Sequence, residues 1–318
     1  MSILSEISRI QNNISNAYNV ISSRGGTTPA FPTSDSLASA ISTIPGSWVP
    51  TGTISISTNG IYDVYNYANA NIDIKNYTDK LIDGTLETLI NNKVTAIYSS
   101  AFNQFGNLTI ASCPECTIIG QGAFNWCWNL TTAKFPKCTT LSSRAFYGCT
   151  KLSDIDFTNC TSICAETFLS CGSLLRVNFP ACTTIGYSAF FRCLSLTTAS
   201  FPLCSIIGAS AFQQCYSLTS TYFPICTTIA AGAFANCSSL LSIDLPNINN
   251  INFKAFDNCI NLSIIKIGTS NCALEYSTVF SNTLITPTTG SIFVPAEYVD
   301  SYKVSNIWSF FSDRIFAI

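Results

Sequence analysis

Sixteen cysteines and a complete absence of histidine frame the chemistry open to this 318-residue chain. Without histidine there is no Ser-His-Asp or Cys-His catalysis, no imidazole acid or base, and no histidine-bearing metal site. The cysteines could be disulfides in a secreted chain or metal ligands in a cytosolic one. Cys113-Pro114-Glu115-Cys116 has the spacing of half a zinc knuckle. Asp154 and Asp156 stand one alternation apart. On a strand both would face the same way, about 6–7 Å apart at Cα, and paired carboxylates at such separations serve glycosidases.

The spacing of the cysteines indicates how they are held. One series falls at Cys116, Cys138, Cys160, Cys182, Cys204 and Cys226. A second falls at Cys127, Cys149, Cys171, Cys193, Cys215, Cys237 and Cys259, each step being 22 positions. Ala-Phe recurs on the same beat from Ala101-Phe102 to Ala255-Phe256, with Thr167-Phe168 in one slot, and a leucine column runs from Leu108 to Leu262. A fixed period of this size is the signature of stacked repeats, each unit burying its neighbour. Thirteen of the sixteen cysteines belong to the two columns, so they are read as small buried hydrophobes. Rungs about 4.7–4.9 Å apart are near enough for a disulfide, but parallel side chains in a ladder do not naturally reach its dihedral of roughly 90°. Reduced thiols are expected, with a disulfide ladder as the alternative. Cys113 takes a phenylalanine's place and Cys116 opens the first column, so both should point inward, and no metal or cofactor is assigned. Asp154 and Asp156 would lie on an open face with no pocket to raise one pKa. No catalytic residue is named, and a carbohydrate-active enzyme is kept only as the last alternative.

The fold expected is therefore a repeat solenoid, β-rich α/β, of about eight 22-residue rungs. It occupies 80–271, opening with a cap from Lys80 to Asn92 that buries Leu81, Ile82, Leu86, Leu89 and Ile90. Terminal repeats must differ, because an uncapped end exposes a slice of core. Residues 272–318 form the C-terminal cap, with a strand from Ser291, a helix from Ala296 to Val304, and an apolar load that includes Trp308 and Phe311. Ahead of the solenoid, 1–47 reads as helical and 48–79 as a small β module with a hairpin turn at Asn59-Gly60. Ile3, Ile7, Ile10, Ile14, Ala17 and Ile21 alternate steps of four and three, a heptad seam whose isoleucines favour three or four strands. The seam is read as a homotrimer through residues 3–21, with one amphipathic helix lying on its own domain as the alternative.

Composition narrows the partners. Charged residues are 10% of the chain and net charge is −2, with no large basic patch evident, so neither nucleic acid nor an anionic membrane is expected. No apolar run reaches the roughly 18 residues of a bilayer span, and no membrane insertion is expected. The start, Met1 to Glu6, lacks the features of a classical signal peptide. The chain should stay inside the cell that makes it or leave by another route.

The unit Cys-Thr-x-Ile-(small)-x-x-Ala-Phe-x-x-Cys-x-x-Leu, with Leu174-x-x-Val177-x-Phe179-x-x-Cys182 on the leucine-rich template, resembles the BspA-type bacterial leucine-rich repeats over about 80–270. That resemblance implies a curved right-handed solenoid, generally secreted or on a cell surface, and adhesion to host proteins or other cells. Leu37-Ala38-Ser39-Ala40-Ile41, with Thr51-Gly52-Thr53-Ile54 and Asn59-Gly60-Ile61-Tyr62-Asp63-Val64, resembles modules of prophage tail and baseplate-associated proteins of Gram-positive gut bacteria. Phe293-Val294-Pro295 with Val299-Asp300-Ser301-Tyr302-Lys303 and Trp308 is similar to C-terminal segments on such repeat proteins.

Two surfaces could recognise a ligand. Alternate strand residues point outward, which places Lys134, Asp154, Asp156, Arg176, Asn178 and Tyr222 on a mixed-charge ladder; an ordinary solvated face is the plain alternative. The loop after each Ala-Phe carries Trp126, Trp128, Tyr147, Phe191 and Tyr216, aromatics that suit sugar rings or a protein. Burial against the next rung is the alternative, and it is preferred for Phe191. The function expected is non-enzymatic recognition of a cell-surface protein or glycan by an extracellular module on a phage or prophage-derived fibre. A bacterial surface adhesin that binds host matrix proteins is the alternative.

Overall fold

The computed structural model describes residues 86–92 and 94–318. The helical segment expected over 1–47 with its seam at 3–21, the β module at 48–79 and cap residues 80–85 lie outside the described residues. Within them, each 22-residue unit makes one turn of a parallel β-solenoid, built from two short strands and the turns between them. One strand carries an outward threonine, serine or isoleucine and an inward isoleucine or leucine, as in Thr184–Ile185. These two-residue strands stack into a continuous nine-stranded sheet from Ala96–Ile97 to Ala273–Leu274. Through the regular rungs the partners are 22 apart, Ile185 facing Ile163 on one side and Ile207 on the other.

The second strand of each turn is longer, and its ladder is divided into three sheets. Thr88–Ile90 to Asp154–Asp156 form the first, Arg176–Asn178 to Ser220–Tyr222 the second, and Ser242–Leu245 to the terminal strand Ile315–Ala317 the third. At the first break the rungs splay: Phe157 and Phe179 lie 6.1 Å apart, against 5.4 Å for Phe179 and Phe201. The second break coincides with the end of that phenylalanine column, where Leu245 follows Phe223. The Ala-Phe segments are turns, not helices, and they too bond rung to rung: Phe168 N–H donates to Ala189 O and Phe190 N–H to Ala211 O, both at 2.8 Å. Regular α-helix among the described residues is confined to Val299–Val304.

Each sequence column has its own physical task. Phe102 through Phe256 form a stacked aromatic ladder, with Phe190 5.2 Å from both Phe168 and Phe212. A second ladder, Phe135 to Phe223, meets the first edge-on. Each buried ring contributes roughly 1.5–3 kcal/mol by removal from water, provided the next rung covers it. The two cysteine columns differ in their hydrogen bonds. First-column thiols donate within their own turn, as Cys182 Sγ does to Thr184 O at 3.2 Å. Second-column thiols reach back to the preceding rung's phenylalanine, as Cys149 Sγ does to Phe124 O at 3.1 Å and Cys171 Sγ to Phe146 O at 3.1 Å. None of the sixteen cysteines is cross-linked. Two threonine and serine columns staple the outside: Thr161 Oγ1 donates to Thr139 O, and Thr131 Oγ1 to Thr109 O, both at 3.0 Å.

The ends close the stack. Leu86 and Leu89 are buried, but Ile90, expected inside, is 55% exposed because it occupies an outward position of Thr88–Ile90. At the far end the beat slips by two residues, yet Phe280 still stacks 5.8 Å from Phe256. Tyr302 and Trp308 then seal the core: the Tyr302 hydroxyl donates to Thr269 O at 3.0 Å and accepts from Cys272 N–H at 2.8 Å, while Trp308 Nε1 donates to Cys272 O at 2.6 Å.

Candidate functional site

The reactive side chains singled out by type are all committed to structure. Burial pushes the Cys113 thiol up to about 12, and its neighbour Cys116, itself raised by burial to about 11, adds to the shift. Both side chains are fully buried in the repeating columns of the core, where a structural cysteine is inert, so the knuckle spacing is read as architecture. Asp154 and Asp156 do share a strand. The Asp154 carboxylate bonds the Lys134 ammonium, while Asp156 Oδ1 accepts from the Thr158 hydroxyl at 2.6 Å and from its amide at 3.3 Å. Nothing in that arrangement separates a general acid from a base.

The strand face divides where the ladder does. Lys134 lies in register with Asp156 and bonds Asp154 diagonally, so these three form one cluster. Arg176 and Asn178 are exposed at the start of the next sheet. Tyr222, 56% exposed, lies two rungs further on through Ser200.

The loop edge gathers more. Trp126 and Trp128, 41% and 46% exposed, flank the fully buried Cys127. Trp126 meets the half-buried Tyr147 edge-to-face at 5.3 Å. Tyr216, also exposed, stands four rungs from Trp128 in the same column and is no part of that cluster. Phe191 is half-buried. The loop backbone is unusual. Two residues of each regular rung, two before and two after the column phenylalanine, take left-handed φ. Ser188 and Arg192 around Phe190 have φ of 49° and 60°, and Trp126 has φ 58°. Such values are uncommon outside glycine.

Several members of this edge carried no sequence signal. Arg144 sits 6.0 Å over the Tyr147 ring and donates its Nε to Glu166 Oε2 at 2.6 Å. Lys151 Nζ donates to Asn129 Oδ1 at 2.8 Å, and Asn129 Nδ2 to Gly106 O at 2.6 Å. Gly106 and Gly148 lie directly against the two indoles: an added Cβ would come 2.2 Å from Trp128 Cζ2 and 2.5 Å from Trp126 Cε3. A 22-residue spacing between partners could have pointed to some of these contacts, since many side-chain bonds here join neighbouring rungs.

Solved structures of similar shape include a leucine-rich repeat protein from Bacteroides ovatus, 20% identical, with a TM-score of 0.54 over 74% of this chain and 66% of that one. The chain thus spans just under two thirds of that protein's length, and the likeness is one of fold. A leucine-rich repeat protein of T. pallidum is 25% identical over 54% of this chain and 72% of its own, with a TM-score of 0.42. A leucine-rich cell surface protein of Faecalibacterium prausnitzii is 22% identical over 60% and 75%, with a TM-score of 0.35. No curated protein matches the chain. The sequence profile of the BspA type leucine rich repeat region matches six copies across residues 83–197 and 205–289. With well over half its residues matched and the solenoid built on the same beat, this chain belongs to the BspA type leucine-rich repeat family.

Proposed function

We propose that this protein is a non-enzymatic recognition module that adheres to a protein or glycan on a cell surface. The observation that carries the reading is the contrast between inside and outside. Inward columns repeat the same few residues, while outward positions of the strand face and the loop edge on the same fixed backbone vary from rung to rung and expose charge and large aromatics. A rigid frame with variable exposed side chains is how stacked-repeat proteins make extended binding surfaces, and exposed aromatics mark interaction sites. Members of the family are commonly found at the cell surface, which supports an extracellular setting. No helix of the described residues is long and apolar enough to cross a membrane.

Carriage on an oligomeric, phage-derived fibre is part of the same proposal and rests on the isoleucine seam at 3–21 and the prophage-like sequence at 37–64. A bacterial surface adhesin is the alternative. Light scattering on the full chain should read a trimer, and a monomer removes the fibre. The recognition reading is tested by titrating labelled full chain onto mammalian epithelial and bacterial cells and onto immobilised matrix proteins. Saturable binding is expected, weakened by Lys134→Glu with Arg176→Glu or by loss of the loop aromatics; a chain that binds no surface refutes it.

A further inference from the structure

We infer that the loop edge around Trp126 and Trp128 is a glycan-binding platform, an inference that deepens the recognition role proposed above and rests on it. The two indoles leave one rung in opposite directions. Trp126 lies against Gly148 of the following rung and Trp128 against Gly106 of the preceding one. Each glycine leaves its indole a bare stretch of backbone, since a Cβ at either position would overlap the ring. Both tryptophans nevertheless remain more than 40% exposed as residues. The result is two flat aromatic supports, backed on one side and open on the other, spread across three rungs or roughly 10 Å of solenoid axis.

Their positions are fixed. Trp126 is the one aromatic among the described residues in the left-handed column after phenylalanine, where the other occupants are Gln, Gly, Ser, Arg and Asn. A bulky residue there is the exception. Its backbone is tied by Trp126 N–H to Tyr147 O at 2.7 Å, and its ring by the edge of Tyr147. Polar groups border the supports. Arg144, its side chain more than half exposed, is held through Nε by Glu166. Lys151, anchored on Asn129, keeps further ammonium protons to donate.

A pyranose ring fits this surface better than a protein does. Its C–H face packs on an aromatic face while its hydroxyls project sideways toward donors and acceptors. Protein hot spots are instead enclosed pockets that exclude water, and this edge is open and bordered by solvated charges. The ligand class is thus a linear glycan lying along the solenoid axis, with a ring on each indole.

The test uses the full chain on an immobilised panel of β-linked hexose, N-acetylhexosamine and sialylated oligosaccharides, and on cells pretreated with periodate or with trypsin. The inference expects binding to at least one glycan series, and loss of cell binding after periodate. Trp126→Ala and Trp128→Ala should each weaken that binding about tenfold with an unchanged thermal melt, while Leu203→Ala, an exposed apolar residue outside both candidate surfaces, leaves it intact. Glycan binding indifferent to both tryptophan variants overturns the site. Cell binding lost to trypsin but untouched by periodate overturns the glycan and leaves recognition of a protein standing. Binding to no untreated cell and to no glycan defeats the recognition role itself.

Discussion

Alkali should unfold this protein abruptly, because its core is lined with thiols that the fold keeps protonated. Burial raises the pKa of fourteen cysteines between Cys113 and Cys272. Cys127, Cys138 and Cys160 are pushed up to about 12, and Cys182 and Cys226 to about 11. In the unfolded chain each would titrate near 8.5. A group whose folded pKa is raised contributes its full stability below the unfolded value and loses it as pH climbs toward the folded one. At pH 9 the loss is about 1 kcal/mol per thiol, so fourteen together lose on the order of 10 kcal/mol, comparable with the whole margin of a typical domain. Under reducing conditions, far-ultraviolet circular dichroism should therefore collapse cooperatively between about pH 9 and 10, and thiolate absorbance should appear in the same step. Cys149→Ala should lower stability at neutral pH by about 1–2 kcal/mol, through the void and the lost bond to Phe124 O. It should also flatten the fall above pH 8.5. Thiolate absorbance that rises smoothly around pH 8.5 while the fold stays intact would refute this account.

Two further outcomes follow from the stacking. Phe190→Ala, which removes a ring stacked on both sides, should cost about 3–5 kcal/mol, while Phe102→Ala at the end of the ladder, stacked only on Phe124, should cost less; equal denaturant midpoints for the two variants would argue against neighbour coverage as the source of stability. Ser188→Gly, at φ 49°, should stabilise by up to about 1 kcal/mol, whereas Gly148→Ala, at φ 72° and against the Trp126 ring, should destabilise and shift tryptophan emission.

Much of this architecture was legible because stacking forces identity at identical positions. Phenylalanine, cysteine and isoleucine recur where a ring, a thiol or a branched chain must meet its own kind on the next rung. What escaped sequence reasoning are features that do not depend on residue type in that way. The left-handed turn positions hold Ser188, Arg192, Glu166 and Lys254, none of which prefers that conformation, so the stacked turns impose it. The threonine columns carry bonds that residue type alone does not announce: Thr183 Oγ1 and Thr197 Oγ1 are spent on the carbonyls of Thr161 and Leu175. The slip before Phe280 looked like an end to the pattern, but a 3-10 turn over Ser277–Phe280 absorbs two residues and returns the ring to its column. The indoles of the candidate site were visible as exposed aromatics in loops. The glycines beneath them were not, because each belongs to a different rung from the ring it supports.

The scarcity of charge has a structural meaning that bears on recognition. Cohesion between rungs is supplied by neutral groups: stacked rings, thiols donating to phenylalanine carbonyls, hydroxyls donating to the rung before, and three backbone ladders. Ion pairs such as Lys134–Asp154 and Arg144–Glu166 lie outside that scheme at the surface, one partner of each exposed and the other partly buried, where such a pair is typically worth about 1 kcal/mol or less. Removing one should hardly register in stability. Outward positions other than the stapling threonines and serines can therefore change side chain and sign without loosening the stack, whereas an inward substitution is felt by the rungs on either side. Variation in such a protein is channelled to the strand face and the loop edge, and a change in binding without a change in melting is the mark of a residue that belongs to them.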